Sequence, residues 1–182
     1  ILIGVTWGFF YHLVVIFWLS MNIGTSDIIA VLSMFIAVLI LTVNSIIIFC
    51  IWYFLHKRVL NHSFWMLPFI WMSVEYFRSF GTLGFPWVSI ANSQTDFLTL
   101  IQNAELFGIY GITFWVILLN VSFFVLIEKT NFKNQIITAV IFLIPWISGL
   151  YFTQNNEKNI LEGLSVALIQ PNVSLQEKWY GS

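Results

Sequence analysis

The chain has 182 residues, of which 59% are hydrophobic and only 8% charged, with a mean hydropathy of +0.90. A water-soluble domain needs far more charge on its surface, so the bilayer is the expected solvent for most of this chain. Seven basic and eight acidic residues give a net charge of -1, which excludes a basic face for nucleic acid and an acidic tail.

A membrane span needs about 20 mostly apolar residues, and runs of that kind predict five spans at roughly 1–22, 28–56, 63–80, 98–127 and 135–152. The first opens at Ile1 without an initiator Met, and the chain stops at Ser182 just after a new polar segment begins, so a fragment of a longer protein is expected. In this first run Gly4 and Gly8 form a GxxxG pair, a pattern that lets two helices approach closely. The second run contains the single cysteine, Cys50, which rules out an internal disulfide and is read as a small buried hydrophobe.

Loop charges set the expected orientation. The break from Asn22 to Asp27 holds no Lys or Arg, and the next holds Lys57, Arg58 and His62. The third, Gly81 to Asp96, adds no basic residue beyond Arg78 at its edge, and the fourth holds Lys129 and Lys133. The positive-inside rule then puts the second and fourth loops in the cytoplasm, and the first loop, the third loop and the C-terminal tail outside.

The third run carries the densest polar constellation. Trp71, Glu75 and Arg78 are spaced i, i+4, i+7 and share one helix face. A carboxylate and a guanidinium three residues apart can pair, which offsets a desolvation cost of about 2.5 to 3.5 kcal/mol each at mid-membrane. Two readings stand: a structural ion pair with Arg78 reaching to the interface, or direct contact with a lipid headgroup. The loop that follows is long and aromatic, with Phe85, Pro86 and Trp87. Trp87 reads either as an interfacial anchor or as the wall of a lipid site, with Pro86 stiffening the turn.

The fourth run exceeds what one helix needs. If its crossing part is Gly108 to Ile127, the stretch from Phe97 to Phe107 lies at the interface, and Ala104 and Gly108 make a second small-residue pair read as a packing mark. After the fifth run, residues 153–163 turn polar and read as a linker. Leu164 to Ile169 is a short apolar run ended by Gln170-Pro171-Asn172, expected to be the first strand of a soluble α/β domain over 164–182. The expected fold class is therefore an α-helical transmembrane bundle over 1–152, followed by the truncated beginning of an α/β domain.

Four stretches together resemble the apolipoprotein N-acyltransferases: Pro68 to Arg78 (PFIWMSVEYFR), Gly84-Phe-Pro-Trp87, Gly108-Ile-Tyr-Gly111, and Val166-Ala-Leu-Ile-Gln170-Pro-Asn172 with Lys178-Trp179. The family often has Thr directly before Gly-Phe-Pro-Trp, where this chain has Leu83 with Thr82 one position earlier. The resemblance implies eight membrane helices with a nitrilase-like αββα domain facing the periplasm of the bacterial inner membrane. It implies two-step transfer through a Cys thioester, from a phospholipid such as phosphatidylethanolamine to the diacylglyceryl-cysteine of a lipoprotein, with Glu and Lys assisting. Those three catalytic residues fall outside positions 1–182, so this stretch alone is expected to be inactive. The resemblance makes Trp87 and Trp179 candidate substrate contacts, with Phe85, Pro86, Arg78, Glu75 and Lys178 beside them. No cofactor and no metal are expected. A transporter or a structural membrane protein is the alternative, against which stand the absence of a visible internal repeat and the expected strand at 164–169.

Overall fold

The computed structural model describes residues 1–22, 24–59, 63–81, 84–158, 167–170 and 172. Every regular element among them is helical: α1 (Leu2–Val15), α2 (Asp27–His56), α3 (Leu67–Arg78), a single turn α4 (Leu98–Ile101), α5 (Ala104–Glu128) and α6 (Phe132–Lys158). Short 3-10 turns at Phe17–Met21, Ser63–Met66, Pro86–Val88 and Ile90–Gln94 join them.

Sequence signals set the ends of these helices. Asp27 lies in the first turn of α2, where the helix dipole favours an anion. Past its other end, Lys57 and Arg58 fold back over the rings of Tyr53 and Phe54, at 4.6 and 4.2 Å from the centroids. Pro68 sits in the first turn of α3, where its missing N–H costs nothing. Asn131 starts α6, its side-chain oxygen accepting from the Asn134 N–H at 2.8 Å.

Each of the five runs expected to span holds a helix, and the helices differ in length. Three helices, α2, α5 and α6, are long and apolar enough to cross a membrane. α1 has 14 residues and α3 only 12, so α3 rises about 18 Å at 1.5 Å per residue. The run at 63–80 spends its first residues on the 3-10 turn Ser63–Met66, and helix α3 begins only at Leu67.

Two further differences concern α5 and α6. α5 is broken at Gly108, whose φ of 63° and ψ of −176° belong to a region open almost only to glycine. A Cβ there would meet no heavy atom of the described residues within 4 Å, so Gly108 serves the break and, among those residues, the Ala104–Gly108 pair is no helix-packing seam. α6 continues to Lys158, past the expected end at 152, because Gln154, Glu157 and Lys158 are good helix formers without an intervening Gly or Pro. The expected strand at 164–169 falls mostly outside the described residues. The described part, 167–170, carries no regular structure, and Leu168 and Ile169 are exposed.

The core forms where α1, α2, α3 and α5 meet. Ile48, Ile70, Trp71, Ile90, Ile117 and Val121 make one buried cluster, and Ile16, Val38, Leu41 and Val88 a second. The glycine pair in α1 lies against α2, where a Cβ at Gly8 would be 2.6 Å from the Ser45 Cβ and one at Gly4 would be 3.1 Å from the Ile46 Cα. Gly8→Leu is therefore expected to cost about 2 to 3 kcal/mol of stability by overpacking. Thermal denaturation in detergent checks this, and a wild-type midpoint would show that the two helices do not approach so closely.

Candidate functional site

The Glu75 carboxylate lies on α3 and is only 3% exposed. Its Oε1 accepts from the Trp71 indole N–H at 3.3 Å and from the Ile90 backbone N–H at 3.0 Å. Its Oε2 accepts from the Ser89 hydroxyl at 2.6 Å and the Thr113 hydroxyl at 2.7 Å. Four donors match the roughly four lone-pair sites of a carboxylate. Arg78 is left as a counter-charge, its Nη2 3.8 Å from Oε1, beyond hydrogen-bond distance. The Arg78 Nε is buried without a hydrogen-bond partner among the described residues.

Through these bonds Glu75 ties α3, the loop after it and α5 together. The loop is gripped from α1 as well, since the Tyr11 hydroxyl donates to the Val88 carbonyl at 3.2 Å. Val88 is 1% exposed and packs with Ile16, Val38 and Leu41. Within the loop, the Asn92 side-chain N–H donates to the Trp87 carbonyl at 2.8 Å. Trp87 itself points outward and is 63% exposed, while Phe85 is half-buried against the Val88 cluster and meets the Trp87 ring edge-on at 5.1 Å. Pro86 opens the 3-10 turn that places Trp87 and Val88 on opposite sides.

Beneath the loop lies a cavity of about 380 Å³ whose walls include Trp7, Tyr11, Trp71, Ile90, Ser93 and Ile117. Trp7 stacks on Tyr11 at 4.6 Å and meets Trp71 edge-on at 4.8 Å, a geometry aromatic pairs prefer. The same Trp71 and Ile90 that line this cavity donate to Glu75, so the carboxylate fixes both the loop and the cavity wall.

Of the sequence-predicted site residues, Glu75, Arg78, Phe85, Pro86 and Trp87 therefore gather around one loop. Trp179 and Lys178 lie outside the described residues. Sequence reasoning missed Tyr11, Ser89 and Thr113. A Thr or Ser near an apolar helix ordinarily bonds its own backbone, so neither hydroxyl carries a signal that separates it from that default. No group of three or more His, Cys, Asp or Glu side chains able to hold a metal occurs among the described residues.

An apolar helical bundle with three helices long enough to cross a bilayer, and a buried carboxylate clamping an aromatic loop, defines a multi-pass membrane protein built around that loop. The sequence profile of the apolipoprotein N-acyltransferase N-terminal domain matches residues 1–122, and the chain belongs to that family. It is 28% identical to the apolipoprotein N-acyltransferase of Chlorobaculum tepidum over 144 residues, covering 75% of this chain and 27% of the relative. Against that of Geobacter metallireducens it is 33% identical over 123 residues, 62% of this chain and 23% of the relative. Against that of Pasteurella multocida it is 26% identical over 180 residues, 95% of this chain and 34% of the relative. The chain thus spans between about a quarter and a third of the length of these relatives. No solved structure matches it.

Proposed function

We propose that this chain is the membrane part of an enzyme that moves an acyl chain from a phospholipid to the N-terminal diacylglyceryl-cysteine of lipoproteins, in the inner membrane. The loop 84–92 presents lipid to a nitrilase-like domain that begins near residue 164 after a linker. In that chemistry a Cys thiolate attacks the phospholipid ester carbonyl and expels the lysophospholipid, and the lipoprotein amine then attacks the thioester and releases the thiolate. Neither the thiolate nor its Glu and Lys partners come from residues 1–182, so this stretch alone is inactive on this reading.

The observation that supports the reading is the rigid exposure of Trp87. A large apolar ring is held out of the core by a backbone fixed on both sides, through Asn92 and through buried Val88. Such a ring offers contact area to an acyl chain with little ordering entropy to lose. Phe85 and Pro86 set its position. Glu75 and Arg78 act through the loop rather than by touching substrate, while Lys178 and Trp179 reach the headgroup from the soluble side.

Trp87→Ala in the full-length protein is expected to lower acyl transfer about tenfold, the equivalent of one aromatic contact of roughly 1.4 kcal/mol, while the melting midpoint holds. Transfer of a fluorescent acyl chain from phosphatidylethanolamine to a lipoprotein peptide measures this, and an unchanged rate would reduce Trp87 to an interfacial anchor. The orientation is open to a separate check. With loop 84–92 facing the periplasm, an impermeant maleimide should label Ser93→Cys but not Asn131→Cys in intact spheroplasts, and the reverse pattern would sink the proposed topology.

A further inference from the structure

The Arg78 guanidinium balances the charge of Glu75, yet its hydrogen bonds go unmade. Its side chain, on the last turn of α3, is only 9% exposed, and its Nε is buried without a hydrogen-bond partner among the described residues. Nη2 lies 3.8 Å from Glu75 Oε1, too far to donate, and that carboxylate already accepts from Trp71, Ile90, Ser89 and Thr113. A guanidinium carries five N–H donors and accepts nothing. Buried donors in folded proteins are nearly all satisfied, because an unsatisfied one gives up its water for nothing in return. The acceptor for Arg78 therefore comes from outside the described residues.

The surroundings say what kind of acceptor fits. Tyr76, Phe77 and Phe80 are exposed around Arg78 at the end of α3, an aromatic belt of the sort that lies at headgroup level in a bilayer. The helix that restarts after the break at Gly108 brings Tyr110 to the same place, its ring edge-on to Tyr76 at 5.3 Å. Tyr110 stands within electrostatic range of Arg78, so a phenol O–H from α5 joins the guanidinium from α3. At headgroup level the anion that every phospholipid carries is phosphate, and its oxygens match the planar fork of an arginine two at a time.

We propose that Arg78 and Tyr110 hold a phosphate group at the end of α3, carried by a membrane phospholipid or free in solution. The exposed aromatics around it favour the phospholipid, whose acyl chains they can cover. The site needs no reaction and stands apart from the acyl-transfer reading, in which the donor meets Trp87.

The test exchanges the full-length protein into a phosphate-free glycoside detergent. Parallel arms add phosphatidylglycerol, a diglucosyl diacylglycerol with the same acyl chains, or inorganic phosphate. Native mass spectrometry counts the lipid retained, and the melting midpoint reports binding in every arm. Phosphatidylglycerol should be retained about tenfold more tightly than the glycolipid and raise the midpoint, with inorganic phosphate at the same concentration giving no rise. Arg78→Lys keeps the charge beside Glu75 but loses the fork, and should abolish most of that preference. Tyr110→Phe keeps the ring and the ion pair, and should weaken retention of phosphatidylglycerol about threefold. If Arg78→Lys does not fold, Tyr110→Phe decides alone. A midpoint raised by inorganic phosphate in the wild type, and not in these variants, would support the site with free phosphate as its source. Equal retention of the two lipids with no response to inorganic phosphate, or a preference that survives in the variants, would overturn the proposal. Trp87→Ala should keep the preference, so the failure of either reading leaves the other standing.

Discussion

Glu75→Ala is expected to destabilise the membrane domain by about 3 to 5 kcal/mol, the loss typical of breaking a buried ion pair from one side. The variant strands the Trp71 and Ile90 N–H groups and the Ser89 and Thr113 hydroxyls, which now all converge on one carboxylate, and leaves the Arg78 charge without its counter-ion. Each stranded donor costs about 1 to 3 kcal/mol where it cannot turn to water. The two hydroxyls can rotate toward each other, being 3.1 Å apart, which keeps the total below the sum of the parts. Glu75→Gln retains one acceptor oxygen and should cost about half as much. Thermal denaturation in detergent, together with limited proteolysis between residues 84 and 95, measures both variants. Equal midpoints for Ala, Gln and wild type would mean that the loop does not hang from this carboxylate.

The second large effect is expected at Gly149, on the face of α6 that meets α4. A Cβ at this position would overlap the Thr99 carbonyl oxygen and lie 2.8 Å from its carbon, so the obstacle is backbone, unable to swing aside as a side chain can. The Asn103 amide, 3.3 Å from the same point, holds the Pro145 carbonyl and the Ser148 hydroxyl. Gly149→Ala should therefore push α4 away from α6, stretch those bonds, and cost about 3 kcal/mol, the upper end of the usual overpacking range. Gly24→Ala is the matched control, since among the described residues its only close neighbour is the side-chain oxygen of Asn22, and it should leave the midpoint within about 0.5 kcal/mol of wild type. Should the two substitutions prove equally mild, the close seating of α4 on α6 would be wrong.

Glycine shows where reading from sequence alone reaches its limit. Gly4 and Gly8 carry the GxxxG spacing, and the structure does place them where α1 closes on α2. The same spacing logic applied to Ala104 and Gly108 fails, because Gly108 meets no neighbour among the described residues and is needed for its backbone angles. Gly149 carries no spacing signal, yet it sits at a close helix contact. A glycine means either a tight approach or an unusual φ, and only the path of the backbone tells which.

The sequence by itself determined the membrane character of the chain, its family and the face shared by Trp71, Glu75 and Arg78. Those features rest on local composition, on motif order and on the helical repeat, none of which needs a partner segment. Only the tertiary structure decided how long each helix is and what the Glu75 carboxylate holds. Ser89 lies 14 residues away from Glu75 and Thr113 lies 38 away, and their meeting depends on how α3 and α5 cross and where the loop turns back between them. Helix crossing is set by how side chains interlock over whole faces, so no short stretch of sequence records it.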